Sequence, residues 1–154
     1  MNHTIQFIIA VLCFTVISCK SGSVITHQDH EKLPYVSSVE LEAITRGRRE
    51  EIKVNSEKFK FTSHTNKETN LEKVSKTINK EQWKVILEKI STINLDEINQ
   101  LKSPTNQRMY DGDLATHISI TVDKKTYQSA SFDKRNPPKE LEELVKYLYQ
   151  LKDE

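Results

Sequence analysis

The sequence predicts an α+β domain: a mostly antiparallel sheet, made of a meander and a hairpin, with two helices packed on one face. Two regions, 38–61 and 114–132, alternate apolar with polar residues, and a period of two is typical of half-buried strands. Two further segments, beginning near Asn79 and Asn136, carry apolar residues at helical spacing. Strands joined by short turns favour antiparallel pairing, with the helices gathered on one side.

The meander is predicted from three short stretches in which alternate residues are apolar. These stretches are 39–43, 52–54 and 59–61. Gly47 interrupts the first connection, and the Asn-Ser-Glu sequence at 55–57 supplies residues typical of turns in the second. A polar loop is expected at 63–70 and a further short strand at 74–78. The hairpin follows later in the chain, with its turn at 123–125.

Both predicted helices carry signals for where they begin. Asn79 followed three residues later by Gln82 is the pattern of a capping box. Asn136 is expected to cap the second helix, with the two following prolines tolerated in its first turn. We expect Trp83, the first apolar residue of the first helix, to pack between that helix and the sheet. Its expected neighbours are Phe59, Phe61 and Ile118.

The first residues of the chain have the pattern of a bacterial lipoprotein signal. Residues 5–17 form an apolar run that is short for a membrane span but suits a secretory signal. The run ends in Val-Ile-Ser-Cys, which resembles a lipobox, although the usual Lys or Arg before the apolar run is missing. We therefore expect a signal peptide at 1–18, a lipidated Cys19 with a polar tether at 19–37, and one domain at 38–154. The alternatives are an ordinary cleaved signal and a membrane-tethered N-terminus.

Composition excludes several classes of function for the expected mature chain. The only other cysteine, Cys13, lies inside the predicted signal peptide. Acylation of Cys19 would therefore leave no thiol for a disulfide, a thiolate metal site or a cysteine nucleophile. The formal net charge is only +1, which argues against nucleic acid as a partner, because nucleic-acid binders usually carry a basic face. We expect membrane lipid to be a partner through the acyl chains on Cys19.

Polar clusters that could bind metal or catalyse a reaction are few. His27 and His30 flank Asp29 in the tether, with no further ligand nearby in sequence. The Asp-Gly-Asp at 111–113 lacks the spacing of a calcium loop and is interpreted as a structural turn. We therefore expect no metal and no cofactor. The alternative is a small hydrolytic or metal-dependent enzyme that uses His117, Asp111 or Asp133; no nucleophile elbow, zincin motif or phosphate-binding loop supports it.

Five polar residues are candidates for an interaction surface. Arg46 ends the first predicted strand and Asp133 ends the last, so the two are candidates for an Arg–carboxylate pair that pins the structure. Arg108, Tyr110 and Asp111 lie in the longest irregular stretch, 102–113. Long loops of compact domains often carry function. We expect Arg108 and Tyr110 to be partly exposed there, with Asp111 organising the turn by accepting backbone N–H bonds.

Several motifs, each weak alone, together resemble one group of proteins. They are TRG (45–47), the helix around Trp83, INLDEINQLKSPT (93–105), RMYDGD (108–113), TYQSASFD (126–133) and PPKELEELV (137–145). The set is similar to a family of small outer-membrane lipoproteins of Bacteroidetes-type bacteria that carries no established activity. The chain departs from that family in its hairpin turn, where Asp-Lys-Lys stands in place of a turn containing glycine.

These observations together lead to one expected class of function. The expected anchor, the single small domain and the lack of a catalytic motif favour a non-enzymatic interaction or accessory module. We expect it at the outer membrane, on the periplasmic face, because residues 20–23 hold no acidic cluster of the kind used for surface export. Its expected partner is an envelope protein or glycan.

Overall fold

A computed structural model of the chain describes residues 35–65 and 72–154. The predicted signal peptide, Cys19 and the His27–His30 cluster lie outside the described residues. Within these residues, seven antiparallel strands form one sheet in the order β4-β3-β2-β1-β5-β6, and β7 pairs with β5 beyond the end of β6. The strands are β1 Val36–Thr45, β2 Arg48–Val54, β3 Lys58–Thr65, β4 Glu72–Thr77, β5 Ala115–Val122, β6 Lys125–Gln128 and β7 Phe132–Asp133. The predicted α+β fold, with its meander and hairpin, is confirmed.

The returning strand of the hairpin is interrupted rather than continuous. Between β6 and β7 the backbone no longer pairs with β5 as a regular strand. Ser129 makes the hydrogen bonds to Ile118 of β5 that a paired strand would have made. Its amide donates to the Ile118 carbonyl at 2.9 Å, and its hydroxyl oxygen accepts from the Ile118 amide at 3.0 Å. A buried backbone amide without a partner is costly. The serine therefore lets the chain bend here while β5 stays fully bonded.

Two α-helices follow the order predicted, but only the first begins as predicted. Helix α1, Lys80–Ser91, has the capping box: the Asn79 side chain accepts from the Gln82 amide at 2.8 Å, and the Gln82 side chain accepts from the Asn79 amide at 3.1 Å. Short 3₁₀ helices follow at Leu95–Gln100, which lies against β6, and at Gln107–Tyr110. No helix among the residues that the structure describes is long and apolar enough to cross a membrane.

The second helix, α2, spans Lys139–Asp153, so Asn136 does not cap it. The Asn136 amide instead donates to the Asp133 carbonyl at 2.9 Å and extends the pairing of β7. A residue that precedes proline is disfavoured in helical conformation. Because Pro137 follows Asn136 and Pro138 follows Pro137, both positions stay extended and the helix begins only after the second proline.

The core lies between the two helices and one face of the sheet, here called the inner face. Ile86 and Ile90 of α1 and Leu141, Leu144 and Leu148 of α2 are buried against it. The sheet contributes Val39, Leu41, Ala43, Ile52, Val54, Phe59, Phe61, Ile118, Ile120 and Val122. Trp83, predicted to pack between α1 and the sheet, lies against the core but is only partly buried. It lies on the same helix face as Ile86 and Ile90, but in the first turn of the helix, at the edge of the core.

The opposite face of the sheet, here called the open face, is polar. In the described strands its side chains alternate with the buried ones and form ion pairs across neighbouring strands. Arg49 lies 2.7 Å from Glu42, and Lys53 lies 3.4 Å from Glu40. Both α-helices pack on the inner face, so this face presents the pattern of one wet and one buried side that is typical of antiparallel sheets.

Candidate functional site

The candidate site is the segment 102–113, called here the Tyr110 loop, together with the β1–β2 turn beside it. The loop connects the 3₁₀ helix Leu95–Gln100 to β5 and contains the second 3₁₀ helix, Gln107–Tyr110. Two carboxylates, Asp133 at one side and Asp113 at its end, hold the loop by accepting hydrogen bonds from its backbone and side chains. The sequence identified the loop, and the structure shows what holds it.

Asp133 is fully buried and organises the first part of the loop. One carboxylate oxygen accepts from the Gln107 amide at 2.7 Å and from the Thr105 hydroxyl; the other accepts from the Arg108 amide at 2.9 Å. Backbone N–H groups at the start of a helical turn lack partners within the turn. Asp133 supplies those partners from a distant strand and so acts on the 3₁₀ helix as a capping residue acts on an α-helix.

The hydrogen bonds to Asp133 outweigh the effect of its burial. Burial raises the pKa of this carboxyl group, but the hydrogen bonds from the Thr105 hydroxyl, from Arg108 and from the Gln107 amide lower the pKa to about 2. Donors aimed at a carboxylate favour its charged form. Asp133 is therefore ionised at any physiological pH and serves as a fixed anchor for the loop.

Arg108 is bound inside the loop rather than presented to solvent. One guanidinium nitrogen, Nη1, lies 3.0 Å from Asp133, 3.1 Å from the Ser103 hydroxyl and 2.8 Å from the Thr105 carbonyl. Its side chain is 12% exposed. The expectation that Arg108 belongs to an exposed contact patch is therefore corrected: a buried carboxylate needs a compensating charge, and Arg108 supplies it.

Asp111 and Arg46 form the contact between the loop and the β1–β2 turn. The Asp111 carboxylate accepts from the Thr45 hydroxyl at 3.2 Å and lies 3.5 Å from Arg46 Nε. The Arg–carboxylate pair predicted between Arg46 and Asp133 is thus replaced by two pairs, Arg46–Asp111 and Arg108–Asp133. Asp111 also does not cap the turn through backbone N–H bonds as predicted, because Asp133 fills that role. Its own backbone is left-handed, with φ of 57°.

Asp113 holds the end of the loop. Its carboxylate accepts from the Leu114 amide at 2.8 Å and from the Arg135 amide at 2.9 Å, and the Arg135 side chain donates to the Gly112 carbonyl at 2.6 Å. A side chain at Gly112 would place its Cβ 3.3 Å from the Gln107 carbonyl oxygen, so the turn is tight as well as bonded. The Asp-Gly-Asp sequence has the arrangement of a structural turn. Among the described residues, no three His, Cys, Asp or Glu side chains meet as a metal-ligating group.

The tip of this well-held loop carries two large exposed side chains. Tyr110 is 84% exposed and Met109 is 69% exposed. They precede Asp111 and so lie next to the β1–β2 turn, where Ile44 is 44% and the Arg46 side chain 92% exposed. The structure therefore agrees with the expected exposure of Tyr110. It adds Met109 and Ile44, which the sequence analysis did not single out.

A buried ionic cluster lies beneath the same end of the sheet and was missed by the sequence analysis. Glu50 of β2 is 2% exposed and contacts Arg48 at 2.5 Å, Lys134 at 2.6 Å and the Tyr149 hydroxyl of α2 at 3.0 Å. An open cavity of about 310 Å³ lies over it, lined in part by Arg48, Lys134 and Arg135. The sequence contains a signal for this cluster. Glu50 alternates along β2 in step with Ile52 and Val54, which places it on the buried face of the strand.

The cluster is held together by charge. Burial raises the pKa of Glu50, but the hydrogen bond and charge of Lys134, the hydroxyl of Tyr149 and the charge of Arg48 bring that pKa below its usual value. Burial and the neighbouring Glu50 carboxylate raise the pKa of Tyr149 far above its usual range. Glu50 is therefore ionised and Tyr149 is neutral, so the cluster links β2 to α2 through satisfied groups.

His117, the candidate base of the enzymatic alternative, lies on the open face. Its Nε2 atom is 3.4 Å from Glu42, which also binds Arg49. Asp133 is enclosed by the Tyr110 loop, and Asp111 contacts the β1–β2 turn. Across residues 35–65 and 72–154, no hydrogen bond or ion pair joins any two of Asp111, His117 and Asp133.

The geometry defines one antiparallel sheet, covered on one side by two helices, with a rigid loop that presents an aromatic tip at one end. No protein-family model matches the sequence, and no curated protein or solved structure is significantly similar to it.

Proposed function

We propose that this chain is a lipid-anchored cell-envelope protein whose domain is a non-enzymatic interaction module. The observation that carries the proposal is the exposure of Met109 and Tyr110 at the tip of a rigidly held loop. The proposed partner is an envelope protein or glycan. The proposed location is the periplasmic face of the outer membrane, in the Bacteroidetes-type lipoprotein group that the sequence motifs resemble.

The way in which the loop is held supports a role in recognition. Two buried carboxylates, Asp133 and Asp113, are used to fix a segment whose most prominent side chains add little to the core. A binding surface that is ordered in advance loses less conformational entropy on association. Tyrosine is among the side chains that most often dominate the energy of protein interfaces. The tip thus has the chemistry and the rigidity of a contact surface.

The position of the tip fits a domain that is tethered at its other end. The described chain enters the domain at Tyr35, and β1 then runs for ten residues to the turn beside the tip. At roughly 3.3 Å per residue, this strand separates the two ends by about 30 Å. A module anchored through Cys19 would therefore carry its contact surface at the end remote from the tether.

The anchor is tested by replacing the cysteine. Cys19→Ala removes the acylated thiol, so we expect loss of labelling by a fatty-acid probe and release of the protein from the membrane fraction. A Cys13→Ala variant is the matched control and should label and fractionate as the original chain does. If the Cys19 variant remains in the membrane fraction after a salt wash, the lipid anchor is wrong.

The interaction surface is tested by truncating the tip. Met109→Ala with Tyr110→Ala should abolish recovery of the partner from envelope extracts by photo-crosslinking, while the melting temperature stays within about 2 °C of the original, because exposed side chains contribute little to stability. Tyr35→Ala, which removes an exposed tyrosine at the opposite end of β1, is the control and should retain the partner. Retention by the double variant as well would contradict the proposal.

A further inference from the structure

The open face of the sheet carries a group of lysines close to the end at which the chain enters the domain. A shallow groove of about 240 Å³ is lined by Lys53, Lys58 and Lys60, by one acidic residue, Glu40, and by Ser38, Val54 and Asn55. All three lysines are exposed. This groove is distant from the Tyr110 loop, since it lies at the opposite end of β1 and β2.

The strand register leaves the groove with a net positive charge, since three lysines line it against the single carboxylate of Glu40. Lys53 of β2 lies directly opposite Lys60 of β3, and like charges in directly opposed positions destabilise a sheet. Lys53 is compensated by Glu40 at 3.4 Å and Glu51 at 3.1 Å. Lys58 and Lys60 have no carboxylate within 4 Å among the described residues. Because Lys53 is already paired with two carboxylates, the positive charge that remains for an anion at the groove is that of Lys58 and Lys60.

The groove is also placed where the rest of the chain can bring it to a membrane. Ser38 lies three residues after Tyr35, and Val39 pairs with Val54 at the β2–β3 turn, so the lysines lie at the end of the sheet at which the chain enters. The segment 20–34 precedes that point. A chain of this length can extend to at most about 50 Å, which allows the open face to reach the surface in which Cys19 would be anchored.

We propose that the lysine end of the open face docks onto the anionic phospholipid surface of the anchoring membrane, with headgroup phosphates entering the groove. The inference rests on the proposed lipid anchor, which supplies a high local concentration of the surface. Each lysine held near an anionic membrane strengthens binding roughly fivefold. The interaction is electrostatic and weakens with added salt. Such docking would orient the domain in addition to retaining it near the lipid.

The test uses the chain from Lys20 onward without acylation, so that binding does not depend on the anchor. The buried core lies within residues 36–151, so this form keeps the packing described above, as circular dichroism and a cooperative melt would verify. We expect it to sediment with phosphatidylglycerol-rich vesicles at low salt, to be released by high salt, and to ignore pure phosphatidylcholine vesicles. Lys58→Gln with Lys60→Gln should lower the partition coefficient roughly 25-fold.

The matched control removes the same charge elsewhere. Lys139→Gln with Lys146→Gln changes two exposed lysines of α2, on the other side of the sheet, and should alter vesicle binding by less than roughly twofold. Equal losses in the two variants, no loss in the Lys58/Lys60 variant, or equal binding to phosphatidylcholine would overturn the proposal. Displacement by low concentrations of inorganic phosphate would overturn it too, in favour of a free-phosphate site. Acyl labelling of the full chain tests the anchor separately.

Discussion

At the scale of single residues, the main determinants of the site are buried carboxylates. Asp133 and Glu50 are each almost completely enclosed, and each is compensated by cations and hydroxyls from other parts of the chain. Arg108, expected to be partly exposed as part of a contact patch, keeps 12% of its side chain exposed and is bound to Asp133. Removing one member of such a group leaves the others buried without partners, which costs far more than losing an exposed ion pair.

Asp133→Asn should therefore be strongly destabilising. An amide of the same shape cannot balance Arg108, and it places an N–H donor where one backbone amide and one side-chain donor already point. We therefore expect a loss of about 3–5 kcal/mol in the free energy of unfolding. Urea denaturation measures this loss of stability. Asp111→Asn, whose partners are exposed, is the matched control and should cost under about 1 kcal/mol. Similar small losses in both variants would show that Asp133 does not hold the loop.

The dependence of stability on pH should reflect the same carboxylates. The pKa of Asp133 is about 2 in the folded chain against an ordinary value of 3.8, and that of Glu50 is also lowered. A lowered pKa in the folded state contributes stability that is complete above the unfolded pKa and is lost as the pH falls through the folded pKa. The melting temperature should hold steady from about pH 7 to pH 5 and drop between about pH 4 and pH 2.

The Asp133→Asn variant provides the check on that assignment. Without this titrating group, the part of the drop below about pH 4 that belongs to Asp133 should disappear, and the curve of melting temperature against pH should flatten. Thermal melts followed by circular dichroism across the acid range measure both curves. An unchanged slope in the variant would assign the acid sensitivity to other groups.

At the scale of elements, helix α1 shows how position along a helix decides what a residue contributes. Ile86 and Ile90 face the centre of the sheet and are buried, whereas Trp83 lies one turn earlier and is only partly buried. The apolar spacing that predicted the helix is shared by all three residues. Spacing indicates which face is apolar, but the extent of the sheet below decides which turn of that face is covered.

Two substitutions in α1 separate these positions. Ile86→Ala opens a cavity under the helix and should cost about 2–5 kcal/mol. Trp83→Ala removes a side chain at the rim, where solvent already reaches it, and should cost about 1–2 kcal/mol, less than the value for a fully buried tryptophan. Denaturant titration of both variants shows which substitution lowers the free energy of unfolding more. A larger loss for Trp83→Ala than for Ile86→Ala would place the indole at the centre after all.

At the scale of the whole molecule, the sheet separates two surfaces with different chemistry. One end presents Tyr110 on a loop held by long-range hydrogen bonds, and the other, at which the chain enters, carries Lys53, Lys58 and Lys60 on the open face. Because β1 runs from one end to the other, the proposed membrane contact and the proposed partner contact would not compete for the same surface. This arrangement is a property of strand order and of the direction in which β1 runs.

Local patterns in the sequence were sufficient to predict the helices and most of the strands. Alternation predicted the strands, apolar spacing predicted both helices, and the Asn79–Gln82 capping box fixed where α1 begins, since these signals act between residues a few positions apart. Tertiary structure decided the site. Asp133 caps a turn 25 residues earlier in the chain, and Glu50 meets Tyr149 99 residues later. Such contacts depend on which strands become neighbours, and that is set by the packing of the whole chain and not by any local pattern.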